Sequence, residues 1–147
     1  SMLMLVLSPD WLLSTGWAPG TAYMCKLLAG GIEAYVRRLT ALTTPYRVLV
    51  CMLYYPDMEP ANSWADMALG GLGYNRNPKK LQLVIRTVFA AIQRRGIHVP
   101  HVDVRLVPLY EQPNGLDGTN SDDYVQRVEP SENGGRKMAR KILSEFL

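Results

Sequence analysis

Hydrophobic positions follow two rhythms along this chain, continuous runs and helical stripes, and they alternate. Met2 to Leu7 is an unbroken apolar run closed by Ser8-Pro9-Asp10, the profile of a strand covered on both faces. Trp11 to Gly20, punctuated by Gly16, Pro19 and Gly20, reads as a loop. Leu28, Ile32, Tyr35, Val36, Leu39 and Leu42 then fall at three- and four-residue intervals, with Lys26, Arg37 and Arg38 on the other faces. That spacing predicts a helix from about Thr21 to Leu42, weakened in its middle by Gly30-Gly31. Tyr46 to Tyr55 is the strongest strand signal, ended by Pro56-Asp57.

Asp57 to Arg76 reads as a long irregular connection containing Asn62-Ser63-Trp64 and Gly70-Gly71-Leu72-Gly73; segments of this length are commonly functional. Asn77-Pro78 opens a second helix whose stripe is Leu81, Val84, Ile85, Val88, Phe89 and Ile92, with Gly96 as its stop. A third strand spans Val102 to Tyr110, and Glu111 to Arg127 is a second long polar loop. Pro130 fits the first turn of a closing helix carrying Met138, Ala139, Ile142 and Leu143 on one side. Gly134 and Gly135 near its start permit close backbone approach or positive φ.

Strand and helix in threefold alternation predict an α/β protein, a three-layer parallel sheet of about three strands with helices on both faces. The whole chain is read as a single domain, or part of one. Ligands of such sheets bind beyond the carboxyl ends of the strands. The loops after Leu7, Tyr55 and Tyr110 would all lie there.

Composition narrows the function classes. The chain has 147 residues, 48% hydrophobic and 20% charged, with a formal charge of +3, so it can fold around its own core. Its basic residues share helices with acids and form no stripe interleaved with aromatics, which argues against nucleic acid. Cys25 and Cys51 have no partner at metal-ligand spacing, so no metal and no cofactor is expected, and two buried free thiols in a cytoplasmic protein is the reading. The run from Met2 to Leu7 is too short for a membrane span.

The segment Pro130-Ser131-Glu132-Asn133-Gly134, followed by Arg136-Lys137-Met138-Ala139, resembles the last block of the GDSL (SGNH) hydrolases. There an Asp-x-x-His-Pro segment supplies two members of a Ser-His-Asp triad. The resemblance extends to Val48 to Pro56 as the family's fourth strand and Val104 to Tyr110 as its fifth. It implies an ester-hydrolase scaffold, yet Glu129 stands where the family has His and Gln126 where it has Asp. Ser8-Pro9-Asp10 can be laid on the family's Gly-x-Asn-Asp block; Asp10 matches, whereas Pro9 replaces the oxyanion-hole Asn and lacks even a backbone N–H. No Gly-Asp-Ser nucleophile block occurs. A second alignment makes Met2 to Leu7 the nucleophile strand, with Ser8 or Ser14 near the nucleophile position.

A triad needs a group titrating near neutrality, and His98 and His101, the only histidines, precede the third strand and are read as surface residues. The candidate catalytic positions are therefore Glu129, Gln126, Ser8 and Asp10. Glu129 is either a base raised by desolvation or a negative charge at a helix N-terminus. Tyr55, Trp64 and Asp123, with Tyr54 and Tyr74, are candidates for lining a ligand site; Asp122-Asp123 could be an acid pair for metal or general-acid work, although adjacent acids in a polar loop are more often solvated. The expected function is a degenerate or partial hydrolase binding a small ester-like or acyl ligand. The alternatives are an esterase with a non-standard or partner-supplied triad, and a nucleotide-binding module using Gly70 to Gly73. A strand at Met2 to Leu7 would expose an unpaired edge, so a homodimer through that strand is expected.

Overall fold

A computed structural model describes residues 2–146. In chain order they form α1 (Met2–Leu7), α2 (Asp10–Thr15), α3 (Thr21–Leu39), β1 (Arg47–Cys51), α4 (Trp64–Gly71), α5 (Pro78–Arg95), β2 (Asp103–Val107), a 3-10 turn (Ser121–Asp123), β3 (Tyr124–Val125), β4 (Glu129–Pro130) and α6 (Glu132–Ser144). The chain is α/β and divides into two compact units. One takes the residues up to Val50 together with Leu83–Leu106; the other takes Cys51–Gln82 and the residues from Val107 onward.

β1 pairs parallel with β2: the Met52 N–H donates to the Val107 carbonyl (2.8 Å) within the second unit, and the Asp103 N–H to the Tyr46 carbonyl (3.0 Å) within the first. Leu5, Leu13, Ala29, Val36, Val84, Val88, Phe89 and Ile92 are buried in this unit. Val84, Val88 and Ile92 recur every fourth residue on α5, as their spacing predicts. The Thr87 hydroxyl fixes α2 against α5 by donating to the Leu13 carbonyl (3.0 Å). Both histidines are exposed, Cys25 is buried and, against expectation, Cys51 is exposed.

Four expectations are corrected. Met2–Leu7 is helical, not a strand: Met and Leu are strong helix formers, Val6 is the one β-branched residue, and a short apolar run has no period to separate the two states. The edge-strand route to a homodimer falls with it, since a helix offers no extended strand edge for a second copy to pair with. Trp11 to Gly20 holds α2, begun by Pro9 at the N-cap and closed by Gly16 in the left-handed region. The connection from Asp57 to Arg76 contains α4, whose Asp66 carboxylate accepts the Ser63 N–H (2.8 Å) as half of a capping box. Finally, Pro130 lies in β4, and Ser131 caps α6 by accepting the Gly134 N–H.

No helix among the described residues is long and apolar enough to cross a membrane.

Candidate functional site

The second unit is organised around a residue that no local pattern announces. β3 and β4 pair antiparallel, Tyr124 with Pro130 and Val125 with Glu129. In the turn between them Gln126 and Arg127 both have positive φ, 50° and 74°, a conformation costing non-glycine residues of order 1–3 kcal/mol. That turn directs the Arg127 side chain inward, where it is 0% exposed.

Its guanidinium meets acceptors from three separate segments. Nη1 donates to Asp66 Oδ1 (2.5 Å) and Asn75 Oδ1 (2.8 Å), Nη2 to the carbonyls of Asp57 (3.1 Å) and Met58 (3.4 Å), and Nε to that of Asp57 (3.3 Å). The Arg127 carbonyl accepts the Asp57 N–H in return (2.9 Å). The Tyr74 ring lies 5.7 Å from the guanidinium carbon. A planar fork with five N–H groups can serve such a set; an ammonium with three cannot. The Arg127 hydrogen bond, followed by that from the Ser63 N–H, holds the Asp66 carboxyl below the usual aspartate range.

This scaffold presents Glu129. Its Oε1 accepts the Trp64 indole N–H (3.2 Å), while Oε2 is buried with no hydrogen-bond partner. The Ser63 hydroxyl donates to the Gln126 carbonyl (3.1 Å), seating the start of α4 on the same hairpin. The Tyr54 hydroxyl donates to the Val128 carbonyl (2.6 Å), and burial first, then the Glu129 charge, pushes its pKa up. Trp64 remains 62% exposed, so an open indole wall stands beside a carboxylate with one unused oxygen.

Asp123, Tyr55 and Tyr124 serve the frame. Asp123 is not solvated: it is 3% exposed and accepts from Lys137 Nζ (2.6 Å) and Asn133 Nδ2 (2.6 Å), both on α6. Tyr55 stacks on Tyr110 with ring centroids 4.6 Å apart. The Tyr124 hydroxyl donates to the Tyr55 carbonyl (2.7 Å) and accepts the Gly118 N–H (2.8 Å), and burial drives its pKa well above the usual tyrosine range. Gly118, at φ 81°, leaves no room for a side chain, since a Cβ would stand 2.4 Å from the Pro56 carbonyl oxygen.

Of the positions singled out in the sequence, the structure joins Trp64 to Glu129 and places Gln126, by its backbone, in the same hairpin. Glu129 is in β4, so the helix-end charge is supplied instead by Glu132, in the first turn of α6. Ser8 and Asp10 belong to the other unit. The Ser8 hydroxyl is spent on the Met4 carbonyl (2.7 Å) and that of Ser14 on the Trp11 carbonyl (2.7 Å). Ser63 and, through the Asp122 carbonyl, Ser131 likewise donate to backbone. None of these four serines is hydrogen-bonded to a base. Gly70 and Gly71 close α4 rather than opening a helix, so a phosphate there would face carbonyl groups at the negative end of the dipole. Among the described residues no cluster of three or more His, Cys, Asp and Glu could hold a metal ion.

Comparison with family models, with curated proteins and with solved structures returns no match. The resemblance to GDSL hydrolases is one of sequence alone, in Val48 to Pro56, Val104 to Tyr110 and Pro130 to Ala139.

Proposed function

We propose that this protein binds a small acyl or ester-like ligand at Glu129 and Trp64 without turning it over, on a scaffold of the GDSL type that lacks the triad. The observation that carries the reading is the Glu129 carboxylate, with one oxygen held by the indole and the other buried and unused. A buried acceptor left unpaired costs about 1–3 kcal/mol or more, and a donor on a bound ligand would supply the missing partner. The unpaired oxygen calls for an N–H or O–H donor, which an acyl amide or acid carries and a simple ester does not, and the exposed indole offers an apolar face to the acyl chain. Gln126 and Glu129 stand in the frame of the family's acid and base. Glutamine cannot act as the acid, and no imidazole is near in sequence. The proposed architecture extends to the three-layer sheet, of which β1 and β2 are two parallel, largely apolar strands joined through α5.

Glu129→Gln tests the site. The amide can still accept from Trp64 but turns the second position from acceptor to donor, so affinity for butyramide falls at least tenfold in a calorimetric titration. Thermal stability stays equal or rises, because a charged unpaired oxygen has been removed. Unchanged butyramide affinity would remove Glu129 from the site. Wild-type hydrolysis of p-nitrophenyl butyrate should equal the buffer rate; turnover abolished by Glu129→Gln would instead establish an esterase.

A further inference from the structure

β1 has the composition of a central strand and the position of an edge strand. Val48, Leu49 and Val50 are all apolar, as in strands covered on both faces, and among the described residues β1 has only β2 as a neighbour, which leaves its other edge unpaired. A groove of about 380 Å³ is lined by Val48, Leu49 and Val50 together with Gly31, Ile32, Tyr35, Val36 and Leu39 of α3, and by no residue of β2. Consecutive strand residues point to opposite faces, so a groove touching three in a row runs along the strand's open edge.

The helix beside that edge is unfinished in the same sense. Tyr23, Leu27, Gly31, Tyr35 and Leu39 recur every fourth residue of α3, and the four with side chains are each more than half exposed. None of these five residues is charged, and the exposed Arg38 lies on the same side of the helix, two turns beyond Gly31. Gly30 and Gly31 sit at its centre, where each costs about 1 kcal/mol relative to alanine. A Cβ at either would meet nothing within 4 Å, so the chain's own packing gives no reason for glycine there, whereas a second backbone approaching closely would.

We propose that this face is the interface of a homodimer, with β1 pairing antiparallel to β1 of the second copy and the two α3 helices crossing at Gly31. A two-fold axis through that point sets Tyr35 opposite Leu27 and Leu39 opposite Tyr23 of the second copy, so the stripe is complementary to itself. Each β1 supplies the backbone groups the other lacks. With a tyrosine carrying roughly 150–250 Å², the stripe together with exposed Leu42 and Tyr46 offers on the order of 800 Å², the area per partner of a standard stable interface.

Sedimentation equilibrium at tens of micromolar is expected to give twice the 16.5 kDa chain mass. Tyr35→Glu, on an exposed side chain, is expected to give a monomer with unchanged circular dichroism. In a Cys51→Ser chain, Gly31→Cys should form a disulfide-linked dimer under mild oxidation at least tenfold faster than Gly135→Cys. A wild-type monomer, a dimer indifferent to Tyr35→Glu, or equal cross-linking at the two positions would each overturn the proposal.

Discussion

Replacing Arg127 with alanine lowers stability by about 3 kcal/mol or more, because a wholly buried guanidinium and all its hydrogen bonds are removed together. The loss is large because the guanidinium is wholly buried and ties Asp57, Met58, Asp66 and Asn75 to the β3–β4 hairpin. Its removal leaves carbonyls and a carboxylate without their donor. Against a typical domain stability of roughly 5–15 kcal/mol, the variant sits near unfolding, so urea denaturation should be read beside that of Asn75→Ala, which deletes one acceptor and costs about 1 kcal/mol. Arg127→Lys keeps the charge but not the fork and recovers only a small part. An Arg127→Ala loss below about 1 kcal/mol, the size of a single hydrogen bond, would mean the hairpin is held by other contacts.

The same pair predicts an acid limb. The Asp66 carboxyl is held below its ordinary range in the folded protein. Its contribution is therefore fully present above about pH 4, the unfolded aspartate value, and is lost as pH falls through the lower folded value. Glu33, Asp103 and Asp117 are lowered too, so the difference between wild type and Asp66→Asn isolates this residue. That difference should shrink on acidification below about pH 4.

Two neighbouring glycines should respond to alanine with opposite signs. A Cβ on Gly134 would stand 2.1 Å from the Asp123 carbonyl oxygen, which also accepts the Ser131 N–H at 2.9 Å. Both groups are backbone, so neither can swing away. Gly134→Ala should cost about 1–3 kcal/mol, the range of overpacked sites, and should loosen α6 from Asp123. A Cβ on Gly135 meets nothing within 4 Å, so Gly135→Ala gains up to about 1 kcal/mol of helix propensity. Thermal melts of the two variants decide this, and equal shifts would contradict the packing described.

The helices with long apolar stripes, α3, α5 and α6, are legible in the sequence because a strand or a loop has no means of sustaining a 3.6-residue period over several turns. The strands β1 and β2 show as apolar runs, but their lengths do not: the strands proper span only Arg47–Cys51 and Asp103–Val107. Met2–Leu7 is ambiguous by pattern because six apolar residues carry no period. Glu129, Trp64 and Asp123 stand out by residue type, yet what Asp123 does depends on Lys137 and Asn133. Arg127 is invisible for a related reason: its acceptors are 52 to 70 residues away in the chain, and an arginine in a polar loop has no signature before the fold brings them together. The one hint lies just beyond it, in the block from Pro130 to Gly134. Its Ser131, Asn133 and Gly134 prove to be the residues that cap α6, bind Asp123 and allow its close approach.

The proposed ligand site lies beside the hydrogen-bonded pair of the Glu129 carboxylate and the Trp64 indole, and the indole N–H reports on it directly. The chain has three tryptophans, so Trp64→Phe assigns the Trp64 signal in a ¹H–¹⁵N correlation spectrum. Titration with butyramide should move that signal along a saturable curve and leave the signals of Trp11 and Trp17 in place. A Trp64 indole signal indifferent to butyramide, or three signals drifting together without saturation, would contradict the site.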